Sequence, residues 1–129
     1  MKSSGILIVD DYALARTTIR ELLGWHEMHV CGEAKDGKEA IEQVKALHPD
    51  LVLLDINMPV MNGMQAAFEI RRISPGTKIL FLTVVDPQEA AVGARLLADG
   101  YVAKSDAGKE LIPALERLLP AYFKTKGEV

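Results

Sequence analysis

The sequence has little of what several classes of protein require. Its 129 residues include a single cysteine, Cys31, so no disulfide can form within the chain, and a reducing, cytoplasmic location is expected. The formal net charge is −3, whereas non-specific binding to nucleic acid or to an anionic membrane needs a basic surface. No apolar run is long enough to span a bilayer. The length instead predicts one domain with a full core, and 49% hydrophobic residues is an ordinary content for a globular protein.

What the sequence does contain is a regular alternation of short apolar runs and amphipathic helical segments. The runs are typical of buried parallel strands, and the segments between them carry apolar residues at helical spacing. Such an alternation predicts a doubly wound α/β fold with helices on both faces of a parallel sheet. The expected strands lie near residues 5–9, 28–33, 50–54, 78–82 and 100–103.

Four of the five runs lead directly into polar residues that could take part in phosphoryl chemistry. Asp10 and Asp11 follow the first run, Asp55 the third, Thr83 the fourth and Lys104 the fifth. The carboxyl ends of parallel strands form the ligand-binding edge of an open sheet. We therefore expect three carboxylates, one hydroxyl and one ammonium to meet at one edge, in a site for a divalent cation and a phosphoryl group.

The adjacent carboxylates of Asp10 and Asp11 repel each other and need compensation. A hard divalent cation such as Mg²⁺ provides it, because Mg²⁺ prefers oxygen ligands. The alternative is a helix N-cap, where an aspartate accepts backbone N–H bonds. Taken alone, the pair favours the N-cap.

The other polar residues also have an ordinary explanation when each is taken singly. Asp55 could act as a nucleophile on phosphorus or be a plain strand end. Thr83 could bind a phosphoryl oxygen or reflect strand propensity, and Lys104 could pair with a phosphoryl group or be a surface lysine. The backbone carbonyl of Asn57, two residues after Asp55, is a further candidate metal ligand. Because all of them follow strand ends as one coherent chemical set, the functional interpretation is favoured.

Four segments, 6–11, 50–63, 79–83 and 100–105, closely resemble the receiver domain of bacterial two-component response regulators. The resemblance covers about residues 4 to 120. The stretch Gly-Tyr-Val-x-Lys-Ser most resembles receivers that carry a helix-turn-helix output domain. The resemblance implies a flavodoxin-like (βα)5 fold with strand order 2-1-3-4-5, a receiver domain over residues 1–124 and a short tail over residues 125–129.

The resemblance also implies a role for each carboxylate. Asp55 would be the phosphoacceptor, which takes a phosphoryl group from a sensor histidine kinase or a histidine phosphotransfer protein. Asp10 and Asp11 would hold Mg²⁺, one of them through water, together with Asp55 and the backbone carbonyl of Asn57. A cation there would compensate the charge that spreads over the phosphoryl group during transfer.

The remaining site residues would bind the phosphoryl group and report its presence. By resemblance, Thr83 and Lys104 would bind phosphoryl oxygens, and Thr83 with Tyr101 would form the switch. The fourth helical segment, with Gly93 in its middle and a mostly alanine face, is expected to respond to the switch. In such receivers the peptide bond after Lys104 is often cis, and the sequence leaves the isomer of the bond to Ser105 open.

The expected function is therefore a phosphorylation-dependent signalling switch and not an enzyme with turnover. The domain itself is expected to bind neither nucleic acid nor membrane, and phosphorylation could produce a homodimer. The chain could be a single-domain regulator or the N-terminal part of a transcriptional regulator, and the sequence leaves both open.

Three rival functions fit less well. Haloacid-dehalogenase-type phosphatases place a second aspartate two residues after the nucleophile, where this chain has Asn57. A nucleotide or flavin binder would need a Gly-rich or Ser/Thr-rich loop after the first strand, where this chain has Asp10 and Asp11. A degenerate receiver used only for protein binding would not need the intact set of polar residues.

Several residues depart from the pattern or stand apart from it. Val84 replaces the small residue usual after the switch threonine, so we expect a narrowed opening to Asp55. Pro113 lies inside the last helical segment and should kink it or delay its start. Trp25 is expected to be a hydrophobic plug at the opposite end of the sheet. His26, His29 and His48 are expected on the surface.

Overall fold

A computed structural model describes residues 5–84 and 97–120 of the chain. These residues form a parallel five-stranded sheet with the order β2-β1-β3-β4-β5. The predicted flavodoxin-like topology is confirmed. The strands are β1 (Ile6–Val9), β2 (Val30–Ala34), β3 (Leu51–Leu54), β4 (Lys78–Thr83) and β5 (Gly100–Ala103).

Four α-helices belong to the described part of the chain: α1 (Ala13–Trp25), α2 (Gly37–Leu47), α3 (Gly63–Ile73) and the C-terminal helix (Ala107–Leu118). Side chains cap two of them. Asp36 accepts a hydrogen bond from the N–H of Glu39 at 2.8 Å, and Asn62 forms a capping box with Gln65 at the start of α3. Such caps stabilise a helix by about 1 kcal/mol each. The predicted fourth helix lies almost wholly outside the described residues, and so does Gly93.

The sheet separates two apolar layers. Because β1 and β3 are apolar at every position, each sends side chains into both layers. One layer packs against α1 and the C-terminal helix, and the other packs against α2 and α3. Full burial of one Leu, Ile or Phe side chain contributes about 1.5–3 kcal/mol. This packing holds the strand ends, and therefore the polar residues after them, in fixed positions.

The prediction for Trp25 is wrong. Its side chain is 81% exposed at the last residue of α1, and the end of the core is filled by Leu23 and Met28 instead. The N–H of Met28 donates to the carbonyl of Leu23 at 3.0 Å. This hydrogen bond closes the turn that follows α1. The predicted exposure of the three histidines is confirmed.

Pro113 does not delay the last helix, which begins at Ala107 after a 3₁₀ turn, Lys104–Asp106. The proline side chain is exposed.

Among the described residues every peptide bond is trans, including the bond from Lys104 to Ser105. The cis isomer that is common in receiver domains is therefore absent at this bond. For a bond to a non-proline residue, trans is the lower-energy form.

In the described stretches, no helix has both the length and the apolarity needed to cross a membrane.

Candidate functional site

The predicted site residues meet where the strands end, and we call this group the carboxyl edge: Asp10, Asp11, Asp55, Thr83 and Lys104. Val9 and Leu54 are register partners on β1 and β3, so the aspartates that follow them lie side by side. Carboxylate oxygens of the three aspartates lie within 4.8 Å of one another. The sheet therefore assembles the acidic cluster that the sequence predicted.

Lys104 supplies a cation between two of the carboxylates. Its Nζ lies 2.5 Å from Oδ2 of Asp10 and 3.3 Å from Oδ2 of Asp55. Burial disfavours the ammonium, but the hydrogen bond to Asp10 and the charges of both aspartates outweigh it and raise the pKa of Lys104. Burial raises the pKa of Asp55, and the nearby charge of Asp10 adds to this effect against the opposing influence of Lys104. One ammonium thus leaves the cluster with excess negative charge.

Asp10 and Asp11 are held very differently. Asp10 is buried, its N–H donates to the carbonyl of Ala34 at 3.1 Å, and its Oδ1 accepts from the N–H of Tyr12 at 2.9 Å. Asp11 is exposed, and no residue in the described ranges donates a hydrogen bond to its carboxylate. The N-cap alternative fails for α1, since Tyr12 occupies the cap position without a side-chain hydrogen bond. Asp10 and Asp11 therefore do not cap the helix that follows them.

The loop after Asp55 is closed by a glycine. The N–H of Gly63 donates to the carbonyl of Ile56 at 2.7 Å, and a Cβ at Gly63 would lie 2.0 Å from the carbonyl oxygen of Asp55. Only glycine allows this approach. Within the loop, the N–H of Asn57 donates to Oδ1 of Asp55 at 3.3 Å. The N–H of Asn57 therefore orients the Asp55 carboxylate, while Gly63 holds the main chain that follows Asp55.

Thr83 and Tyr101 lie on neighbouring strands near the same edge. Thr83 is fully buried as the last residue of β4. Tyr101 is half-buried on β5, and its ring meets Phe81 edge-on with 6.1 Å between ring centroids. The switch role of the pair stays a prediction. Val84 follows Thr83 and is 72% exposed.

A charged cluster beside the acidic pair was missed by sequence reasoning. Arg16 on α1 donates to the main-chain carbonyl of Asp10 at 2.5 Å and to Glu33 at 2.9 Å. Arg20 donates to the second oxygen of Glu33 at 2.7 Å. Two arginines four residues apart, with one glutamate in a short predicted strand, were the signal that could have revealed it.

The donor set fits a hard divalent cation. Three carboxylates within 4.8 Å provide the oxygen ligands that Mg²⁺ prefers, and among the described residues Lys104 is the cation that pairs with two of them. A cation at this position also compensates the charge that Lys104 alone cannot neutralise. The acidic cluster could therefore hold a metal ion.

Comparison with known proteins identifies the family. The family model for the response regulator receiver domain matches residues 6–116. The chain is 37% identical to the nitrate/nitrite response regulator NarL of Escherichia coli K12 over 87% of its own length and 53% of NarL. The chain therefore belongs to the response regulator receiver family, whose members act as phosphorylation-dependent signalling switches.

Solved structures agree with this family. A LuxR-family response regulator from an Aurantimonas species superimposes with a TM-score of 0.84 and 32% identity, covering 90% of this chain and 84% of that one. The response regulator TrrA of Thermotoga maritima, solved in complex with Mg²⁺ and BeF, has a TM-score of 0.77 and 34% identity, covering 92% of this chain and 100% of that one. The chain spans 33% to 53% of the length of the first curated relatives that it matches.

Proposed function

We propose that this chain is a receiver that accepts a phosphoryl group on Asp55 and passes the signal on through changed protein contacts. The observation that supports this most directly is the environment of Asp55. Its buried carboxylate faces Lys104 and lies within 4.8 Å of two further carboxylates at one sheet edge. A nucleophile, a cation and a candidate metal site are thus adjacent. The receiver would occupy residues 1–124, followed by a tail over residues 125–129.

The proposed step is a transfer between two side chains. A carboxylate oxygen of Asp55 attacks the phosphorus of a phosphohistidine on a sensor histidine kinase or a phosphotransfer protein. A new O–P bond forms and the P–N bond breaks. The imidazole leaves with the electron pair of that bond and takes up a proton from solvent. Attack by water later releases inorganic phosphate and restores the carboxylate.

The carboxyl edge supplies the electrostatics of this step. Lys104 Nζ, already 3.3 Å from Asp55, would turn from the carboxylate to a phosphoryl oxygen. Mg²⁺ would be held by the carboxylates of Asp10, Asp11 and Asp55, together with the main-chain carbonyl of Asn57. When bound, the ion supplies positive charge that favours the ionised carboxylates and neutralises the phosphoryl oxygens.

The response to phosphorylation would begin at Thr83. Its hydroxyl would bind a phosphoryl oxygen, and Tyr101 on the adjacent strand would turn inward as Thr83 moves. A changed surface on the β4–β5 side would then alter contacts with other proteins, including a second copy of this chain. The packing of the half-buried Tyr101 against the buried ring of Phe81 supports the proposal, because a turn of Tyr101 would change both this contact and the exposed part of β5.

The proposed biological setting follows from the family. The receiver would act in the cytoplasm, where sensor kinases present their phosphohistidine, and would not turn over a separate substrate. Homology to NarL supports a role as the N-terminal part of a transcriptional regulator, with DNA contacted by an output domain and not by the receiver.

The proposal can be tested by intact-protein mass spectrometry. We expect the chain, incubated with MgCl₂ and phosphoramidate, to gain one phosphoryl group, and Asp55→Asn to gain none. Asp106→Asn is the matched control, because Asp106 is exposed on the 3₁₀ turn beside the site and its side chain caps no helix. An unmodified wild-type chain after prolonged incubation, or a gain that survives Asp55→Asn, would contradict the proposal.

A further inference from the structure

The peptide group that links Asp10 to Asp11 is held by a hydrogen bond from one side chain of α1, that of Arg16. The carbonyl oxygen of this peptide belongs to Asp10 and accepts a hydrogen bond from Nη1 of Arg16 at 2.5 Å. The carboxylate of Asp11 receives no hydrogen bond from the residues that the structure describes. The direction in which Asp11 points is therefore set largely by the plane of the peptide that Arg16 holds.

Arg16 is itself held from the opposite side. Its Nε donates to Oε1 of Glu33 on β2 at 2.9 Å, while Arg20 occupies the other oxygen of Glu33 at 2.7 Å. Burial raises the pKa of Glu33, but the hydrogen bonds and charges of Arg20 and Arg16 outweigh it and leave the pKa below its usual value. The glutamate thus stays ionised as an anchor, and the Arg16 side chain, 18% exposed, bridges strand and peptide.

We propose that Arg16 is a positioning residue for the metal site, which it organises by fixing the Asp10–Asp11 peptide with Glu33 as its anchor. The inference rests on the proposed function, since it concerns the same carboxylates. A planar guanidinium can donate to Glu33 and to the carbonyl at once, which an ammonium cannot do in the same geometry. Partners that orient metal ligands commonly change metal affinity by about 10- to 100-fold when they are removed.

The structure contains a matched control for this role. Arg20 shares Glu33 with Arg16 and has the same charge, but it forms no hydrogen bond or ion pair with Asp10 or Asp11. If the cluster acted only through charge or through general stability, removal of either arginine would have a similar effect. If Arg16 acts by orienting the peptide, only its removal weakens the metal site.

Calorimetric titration with MgCl₂ measures this effect without any phosphorylation. The single tryptophan is not a useful reporter, because Trp25 lies at the far end of α1. We expect Arg16→Ala to weaken Mg²⁺ binding about 10-fold or more and Arg20→Ala to leave it unchanged. Arg16→Lys, which keeps the charge and can still donate to one of the two acceptors, should recover part of the affinity. This variant replaces the alanine variant if the latter does not fold.

The outcomes separate the two proposals. Unchanged or stronger Mg²⁺ binding in the Arg16 variants, or equal losses in the Arg16 and Arg20 variants, would overturn the positioning role. Thermal unfolding of each variant shows whether a loss of affinity follows a loss of stability, and losses that follow stability in both variants would also overturn it. Phosphoramidate labelling of the wild-type chain reports on Asp55 separately, so a failure there leaves the calorimetric result on Arg16 valid.

Discussion

The carboxyl ends and the amino ends of the strands each contain an arginine that bonds to one main-chain carbonyl and one carboxylate. The two regions differ in how well the surrounding carboxylates are paired. At the carboxyl edge, Arg16 donates to the carbonyl of Asp10 and to a carboxylate. At the opposite edge, where strands begin, Arg71 on α3 donates to the carbonyl of Leu97 at 3.0 Å and pairs with Asp99. Each arginine joins a helix to a strand end, yet the surroundings differ.

At this second edge, the amino edge, each nearby acid has its own donors. Asp99 accepts from the N–H of Ile79 at 2.8 Å as well as from Arg71, and Asp50 accepts from the N–H of Gly5 at 2.8 Å. At the carboxyl edge, the part of the chain that the structure describes places three carboxylates around the single ammonium of Lys104. The amino edge is therefore organised for stability, whereas the carboxyl edge keeps an unfavourable charge arrangement that a cation and a phosphoryl group can use.

The largest expected effect comes from removing the cation of the carboxyl edge. Lys104→Met removes the ammonium that would meet a phosphoryl oxygen, and we expect the labelling rate with phosphoramidate to fall by about 10²–10³, as when one electrostatic donor is lost from an active site. Lys109→Met, at an exposed position of the C-terminal helix, should label at the wild-type rate. Equal rates for both variants would remove Lys104 from the mechanism.

A second, smaller effect should follow from adding one methyl group at Gly63. Because the new Cβ would lie 2.0 Å from the carbonyl of Asp55, the loop must shift, and we expect Gly63→Ala to lower the free energy of unfolding. The expected loss is about 1–3 kcal/mol, as for other overpacked sites. Urea denaturation measures it.

Gly24→Ala is the control for this glycine. Gly24 lies within α1 and its added Cβ would meet no atom within 4 Å, so alanine should stabilise the helix by about 0.5–1 kcal/mol. If both alanine variants change the free energy of unfolding in the same direction, the close approach of Gly63 to the carbonyl of Asp55 is not the reason that the loop needs glycine.

A substitution at the amino edge should change the stability of the fold and the pH dependence of that stability, and it should leave phosphorylation unchanged. Burial raises the pKa of Asp99, but the hydrogen bonds from Ile79 and Arg71 outweigh it and leave the pKa lowered. A lowered folded-state pKa stabilises the fold fully above the unfolded-state value, about 3.9, and this contribution is lost as pH falls through the folded-state pKa.

Asp99→Asn keeps the carbonyl oxygen for Ile79 and loses the charge toward Arg71. We expect a loss of about 1 kcal/mol at neutral pH, which shrinks as the pH falls below about 4. Urea denaturation at several pH values measures it, with labelling by phosphoramidate unchanged. A difference from wild type that stays constant down to pH 3 would refute the assignment to the ion pair.

The smallest effect is expected at Val84. If this side chain narrows the opening to Asp55, Val84→Ala should label a few-fold faster with phosphoramidate and gain less with a larger donor protein. Because the side chain is 72% exposed, we expect no measurable change in stability. An unchanged rate would show that the opening does not limit access.

Much of the molecule could be predicted before any coordinates. The apolar runs and helical spacing predicted the parallel sheet, and the resemblance to receiver domains predicted its strand order. The polar residues after the runs predicted which side chains meet. Trp25 could not be placed correctly, because an apolar residue at a helix end can pack inward or remain exposed, and only the packing of Leu23 and Met28 decides which.

The sequence by itself determined the alternation of elements and the acids, hydroxyl and ammonium at the strand ends, because these depend on local period and on topology rules. Only the tertiary structure decided that Lys104 lies between Asp10 and Asp55, that Gly63 touches the carbonyl of Asp55, and that Arg16 rather than Arg20 reaches the acidic pair. These contacts join residues on different elements. Their distances depend on how helices pack against the sheet, and no local pattern specifies that packing.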